Sequence, residues 1–271
     1  MVNDFQFKDK YTAEDLVRIV SVLRAPGGCP WDAEQTHESI RRDLLEETYE
    51  VVEAINKNST EMLREELGDL LLQVVFHTAI ETEKGNFNFD DVADEICKKL
   101  IIRHPHVFGD VVVDSTDEVL TNWDAIKMQT KNQSTVSETL RSVPREFPAL
   151  MRAHKIQKKA AKAGFDWDNT EGAFLKVKEE TAELEEAIAS GNKENVQDEL
   201  GDLLFAVVNV SRFVSCDPEL SLTASTDKFT ERFTIVEKMA LEKGIDMKSA
   251  DIETLDELWE MAKRIIKEQT P

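Results

Sequence analysis

The heptapeptide EELGDLL at residues 65–71 returns as DELGDLL at 198–204, in a chain of 271 residues. Each copy is acidic and then apolar, with leucines at helical spacing and a glycine inside the pattern. Outward from it the match widens. Shifting the sequence by 133 lays EETYEVVEAI (46–55) on EETAELEEAI (179–188) and EELGDLLLQVV (65–75) on DELGDLLFAVV (198–208) without a gap. At a shift of 136, GCPWD (28–32) falls on GFDWD (164–168), and Trp123 with Lys127 falls on Trp259 with Lys263. An internal repeat of this kind sets the fold reading before any single motif does. Each half carries a Trp loop, an acidic helix, a second acidic helix and a closing Trp-xxx-Lys.

Glycine and proline are sparse and fall between long Leu-, Ala-, Glu- and Lys-rich segments, with no series of alternating strands. The expectation is an all-α chain of two tandem domains: 1–130, a linker at 131–148 built on KNQSTVSE with Pro144 and Pro148, and 149–271. The 54 acidic residues outnumber the 33 Lys and Arg, a net charge of −21. Such a field repels nucleic-acid backbones and anionic lipid, so no direct nucleic-acid binding is expected. Cys29, Cys97 and Cys216 are far apart and form no CxxC, arguing against a disulfide framework or zinc knuckle. The first residues, MVNDFQFKDK, lack the pattern of a secretory leader, and no apolar run reaches membrane-spanning length. These features predict a cytoplasmic protein without membrane association.

Leu44, Thr48, Val51 and Ile55 form one helical stripe, and Leu63, Leu67, Leu70 and Val74 another. Glu47 and Glu66 each precede a stripe residue by one position, and Glu50 and Asp69 follow three positions on, along the same edges. The short NKNST turn between the two helices predicts an antiparallel hairpin. That hairpin allows the four acids to converge, although helix rotation is not fixed by spacing. The second half repeats the set as Glu180, Glu183, Glu199 and Asp202. Carboxylates gathered at a core boundary either take up protons or bind a cation, and a divalent metal is the simpler resolution. All-oxygen ligands favour Mg²⁺, with Mn²⁺ as a substitute, and leave positions for water and phosphate. Gly68 and Gly201 read as places where a neighbouring helix or ligand comes close, at a cost of about 1 kcal/mol relative to alanine.

One ExxE pair alone would be an ordinary solvated face. Two in-phase sets written twice carry the argument. The alternative is a non-catalytic acidic helical scaffold that dimerises and binds partner proteins. His104 and His106 in RHPHVFGD read as loop residues, and Glu34 with His37 is a lone ExxH, short of a di-iron site. Neither a GxSxG elbow nor a P-loop is present.

The acidic signature resembles that of the MazG nucleoside triphosphate pyrophosphohydrolase family. It stands here as Glu46-Glu47-x-x-Glu50 with Glu66-x-x-Asp69, and as Glu179-Glu180-x-x-Glu183 with Glu199-x-x-Asp202. GGCPWDAEQTHESI, RHPHVFGD and KIQKKAAKAGFDWD extend the likeness to the full-length, two-domain members. The resemblance implies an all-α fold with a four-helix core completed by homodimerisation, Mg²⁺ on the acids, and hydrolysis of NTPs or dNTPs to monophosphate and pyrophosphate. It also implies triphosphate and base contacts at Lys176, Lys228, Arg232, Trp259 and Lys263. Glu180, Glu183, Glu199 and Asp202 are then the metal ligands, and Glu179 the general base, although coordination geometry can exchange the roles of Glu179 and Glu180. In the first half Lys228 is replaced by Glu95 and Arg232 by Lys99, with Lys98, Lys99 and Arg103 as substitutes. Asn195 stands where some relatives have lysine. The expectation is that the C-terminal half carries most of the activity, and that the N-terminal half binds metal with weaker or different turnover.

Overall fold

The computed structural model describes residues 5–130 and 134–269. The described residues form thirteen helices and no strand. Two compact units divide the chain, Met1–Lys127 and Met128–Pro271. No helix among the described residues is long and apolar enough to cross a membrane.

The first unit comprises α1 (Ala13–Arg24), α2 (Pro30–Glu34), α3 (Arg41–Asn56), α4 (Thr60–Glu83), α5 (Phe89–Arg103), α6 (Pro105–Phe108) and α7 (Thr116–Thr130), which runs across the division. The α3–α4 hairpin follows from its turn: Asn58 takes a left-handed conformation at φ 51°, and the Ser59 hydroxyl accepts the Met62 N–H at 3.3 Å. Together they reverse the chain and satisfy an orphan donor of α4. The core gathers Val20 of α1, Ile40, and Val75, Phe76 and Ile80 of α4. Burying side chains of this size contributes about 1.5–3 kcal/mol each, which fixes α1 on the far half of α4.

Arg24 closes that core. Its guanidinium, 8 % exposed as a residue, donates to Glu83 at 2.6 and 2.8 Å and to the carbonyls of Asp32 and Gln35 at 2.7 and 3.1 Å. It also lies 5.1 Å from the Phe76 ring centroid. Beside it, His37 bridges His77 and Glu81 of α4, at 2.7 Å to each. The ExxH histidine is thereby a tie between loop and helix. Lys84, Asn86 and His37 together hold Glu81 well below the usual carboxylate range, at about 2.

The second unit comprises α8 (Val136–Arg141), α9 (Ala149–Lys162), α10 (Thr170–Ser190), α11 (Lys193–Phe213), α12 (Pro218–Lys243) and α13 (Ile252–Gln269). Within the stretch read as a linker, 131–133 lie outside the described residues. The remainder contains α8, capped reciprocally by Thr135 and Glu138 and packed on α9, with Thr139 and Val143 buried. Its polar sequence is thus a capping box as well as a spacer. The α10–α11 hairpin turns at Gly191, left-handed at φ 72°, and Asn192 caps α11. A separate core of Val236, Met239, Ala240, Leu258 and Ala262 joins α12 to α13. This pair meets α9 through α12 and makes no extended contact with α10 or α11.

The hairpin stripes are only partly covered. Leu67, Leu71 and Val74 on α4 are exposed, and so are their repeats on α11, Leu200, Leu204 and Val207. Gly68 and Gly201 have nothing within 4 Å of a would-be Cβ. The close approach expected at these glycines is therefore not made by another helix of the same chain.

Candidate metal and nucleotide site

Each hairpin brings three of its four expected acids together, a convergence that their spacing allows. In the second unit Glu180 of α10 and Glu199 and Asp202 of α11 place carboxylate oxygens within 4.8 Å of one another. Glu183 lies one turn along α10, and its hydrogen bond with Glu180, followed by burial and the Glu180 charge, raises its pKa. In the first unit Glu47 of α3 and Glu66 and Asp69 of α4 repeat the cluster. Burial and the charges of Asp69, Glu50 and Glu66, with a hydrogen bond from Glu50, push Glu47 up; burial, then Glu50 and other acids, push Glu66 up. Like charges crowded in a partly desolvated place produce this pattern.

The two sets differ in the side chain one turn before them. Lys176 Nζ lies 2.5 Å from Glu180 Oε1 and 2.8 Å from Glu179 Oε1. Those two carboxylates raise the lysine's pKa well above its ordinary value. The first unit has Asp43 at the matching position, and Glu46 there pairs with Arg42 at 2.8 Å. Glu180 is 5 % exposed, and its second oxygen, Oε2, is buried with no hydrogen-bond partner. A buried carboxylate oxygen without a partner is costly. Three converging carboxylates, one with an orphaned oxygen, suit a hard divalent cation. Nitrogen and sulfur ligands, which softer metals prefer, are missing from both clusters.

The cations and aromatics expected to meet the nucleotide fall into two groups. Lys176 and Glu179 belong with the acids. The others lie on α12 and α13: Arg232 stands over the Trp259 ring at 5.8 Å, Phe229 packs on Trp259 at 5.1 Å and stacks on Phe233 at 6.0 Å. Lys263 pairs with Glu260 at 2.6 Å, and Lys228 is exposed one turn before Arg232. The single chain does not pack this second group on the acidic hairpin. The first unit builds a similar Arg–Trp pair from a different position, Arg103 over Trp123 at 5.3 Å, with His104 edge-on to the same ring at 4.9 Å. Lys98 is engaged by Asp94.

Motif reading missed a cavity of about 680 Å³ that opens beside Glu180, Asp202 and Lys176. Trp167, Phe205, Ala160 and Ala206 supply apolar wall, and Gln157 and Asn209 supply polar groups. The repeated GxxWD stretch marked its mouth, but its depth depends on small residues that carry no motif. At the matching positions the first unit places Arg24 for Ala160, Gln73 for Ala206 and Phe76 for Asn209, all three buried.

The MazG nucleotide pyrophosphohydrolase domain matches this chain twice, over residues 35–108 and 169–239, which span both acidic hairpins. The nucleoside triphosphate pyrophosphohydrolase/pyrophosphatase MazG of Thermotoga maritima is 45% identical over 250 residues, covering 92% of this chain and 95% of that protein. The nucleoside triphosphate pyrophosphohydrolase of Escherichia coli K12 is 43% identical over 252 residues, covering 92% and 96%. That of Mycolicibacterium smegmatis is 35% identical over 233 residues, covering 78% and 71%. With the acids converging twice as the repeat requires, and both repeats matched, the chain belongs to the MazG nucleotide pyrophosphohydrolase family.

Proposed function

We propose that this protein is a nucleoside triphosphate pyrophosphohydrolase that cleaves NTPs and dNTPs to NMP or dNMP and pyrophosphate, mainly in its C-terminal domain (149–271). The observation that carries the reading is the buried Glu180, converging with Glu199 and Asp202 and left with one unpartnered oxygen. The activity itself rests on the likeness to relatives that carry that name over nearly their full length.

Glu180, Glu183, Glu199 and Asp202 hold Mg²⁺, or Mn²⁺ in its place, which when bound neutralises triphosphate charge and lowers the pKa of the attacking water. Glu179, exposed at the rim beside Lys176, takes the proton from that water. The water oxygen bonds to the α-phosphorus, the bond to the bridging oxygen breaks, and pyrophosphate leaves. Lys176 supplies positive charge in a chain of net charge −21, where a polyanion needs local cations. Lys228, Arg232, Trp259 and Lys263 complete the nucleotide contacts once α12 and α13 are brought to the acids.

A homodimer supplies that approach. The exposed stripes Leu67, Leu71, Val74 and Leu200, Leu204, Val207 lie on the same helices as the uncrowded Gly68 and Gly201. Helix on helix across these stripes makes a four-helix core from two hairpins. The N-terminal domain (1–130) holds metal on Glu47, Glu50, Glu66 and Asp69 with weaker or different turnover. We place the enzyme in the cytoplasm, acting on free nucleotides in pool control or sanitation. Product analysis tests the reaction class: pyrophosphate with NMP, only when Mg²⁺ or Mn²⁺ is supplied, supports it, and orthophosphate with NDP overturns it.

A further inference from the structure

We propose that Lys176 is a positioning residue for the metal: beyond the charge it offers a polyanion, it holds one oxygen of Glu180 so that the other is left for the cation. This rests on the reading of Glu180, Glu199 and Asp202 as metal ligands.

The helix itself makes the contact. Residues 176, 179 and 180 are three and four apart within α10, so they share a face, and side chains on a helix lean toward its N-terminus. Glu180 therefore reaches back over the turn that carries Lys176, whose Nζ meets Glu180 Oε1 at 2.5 Å and Glu179 Oε1 at 2.8 Å. Helix support does not account for this pair, because a lysine placed ahead of a glutamate at this spacing is the weaker order. Nor is it a solvated surface pair, since Glu180 is buried and Lys176 half-buried.

The two oxygens of Glu180 thus have separate tasks. Oε1 takes a fixed cationic donor, which sets the plane of the carboxylate. Oε2 is buried without a hydrogen-bond partner. Partners behind a ligand commonly orient it for the metal in this way. Glu179, at the exposed rim, steadies the lysine from its other side, and the two carboxylates keep Lys176 charged by raising its pKa.

The first unit supplies the contrast. Asp43 stands at the position matching Lys176, and an ionised aspartate has no donor to offer Glu47, which is only half-buried. Three acids converge there as well, so convergence does not need the lysine. What Lys176 adds is a fixed orientation of one ligand.

Mn²⁺ titration of the full chain without nucleotide, followed by the electron paramagnetic resonance signal of the free ion, reads this role before any turnover. The sites of the second cluster are those lost in Glu199→Gln and kept in Glu66→Gln. Lys176→Met should weaken them roughly 10- to 100-fold, and Lys176→Arg should restore most of that affinity. Lys178→Met removes the same charge from an exposed position two residues on, and should leave the affinity within about two-fold. The sign is decisive, because losing a nearby positive charge would by itself tighten a cation. Mn²⁺ affinity that is unchanged or higher in Lys176→Met overturns the proposal. A second measurement needs only the folded wild type. The Lys176 ammonium resonance, assigned by its absence in Lys176→Arg, should keep its slow hydrogen exchange when Mg²⁺ saturates the chain, and release of that ammonium to solvent also overturns the positioning role. If no Mn²⁺ site is lost in Glu199→Gln, the reading of the acids fails together with this inference; if one is lost there but is untouched in Lys176→Met, the acids stand and the inference alone falls.

Discussion

The N-terminal and C-terminal hairpins share a carboxylate cluster and differ in what stands behind it. Behind Glu180 and Asp202 the second unit leaves a hollow lined by Ala160, Ala206 and Asn209. Behind Glu47 and Asp69 the first unit has Arg24, Gln73 and Phe76, with Arg24 bonded to Glu83 and to the carbonyls of Asp32 and Gln35. Lys176 partners the acids of one unit, and Asp43 takes its place in the other. Gathering carboxylates and leaving a hollow beside them are therefore separable properties of this scaffold. Both halves have the first, and the second unit has the hollow.

The largest effect that would break this comparison is at the acids. Glu199→Gln should lower pyrophosphate release on the order of 100-fold, because the substitution removes a charged ligand oxygen beside the reacting phosphate. Glu66→Gln should cost less than about two-fold in the same assay. Full activity after Glu199→Gln with loss after Glu66→Gln would reverse the ranking of the two units.

Next comes the residue that fills the first unit. Arg24→Ala strips Glu83 and two carbonyls of their donor and uncovers one face of Phe76. We expect a loss of about 2–3 kcal/mol, read as a lower midpoint for the N-terminal unit in denaturant. The reciprocal change, Ala160→Arg, should lower kcat/KM for NTP at least about 10-fold by occupying the hollow, with Mg²⁺ affinity retained. Retained catalytic efficiency in Ala160→Arg would show that the hollow is not part of the substrate path.

A smaller effect sharpens the link to the dimer. Gly201→Ala meets nothing inside its own chain, so in an isolated protomer it should raise helix stability by about 1 kcal/mol. With a second hairpin seated on Leu200, Leu204 and Val207, the same methyl meets the partner. We expect it to weaken association, seen as a shift toward monomer in sedimentation on dilution.

The smallest effect is in pH. Glu47 and Glu66 titrate above their ordinary value of 4.5, so folding favours their protonated forms. Their contribution to stability is complete below the unfolded pKa and is lost as pH rises through the folded one. Without divalent cation the N-terminal unit should therefore gain stability from this pair as pH is lowered from 7 toward about 5. Mg²⁺ should flatten the dependence. Glu81 acts in the opposite sense: its depressed pKa, about 2, gives stability that is present above 4.5 and lost as pH falls toward that value. The C-terminal unit should respond less, because Lys176 lies against Glu179 and Glu180 and offsets part of its negative charge.

Both hairpins and their acids were legible in the sequence, because helical periodicity and a repeat at fixed spacing act locally and are written in residue order. The turn at 56–60 follows from that alone, whereas the meeting of Glu47 with Glu66 and Asp69 also needed the helix rotation that packing sets. The hollow was not legible. It arises where Ala160 of α9 faces α11, and small residues leave no periodic signature. Nor was the packing of Trp167 on Gly172 legible, where an added Cβ would stand 3.1 Å from the indole. Leu67 and Leu200 reached the surface of a single chain because their stripe extends beyond what one hairpin can cover.

Arg24 has one more implication, for anyone redesigning the molecule. Its side chain acts as a keystone between α1, the end of α2 and the end of α4, so giving the first half a hollow like the second's cannot start at its acids. The remodelling has to begin at the guanidinium and provide another anchor for the carbonyls of Asp32 and Gln35. The difference between the halves is then a matter of architecture, reversible only by rebuilding a wall.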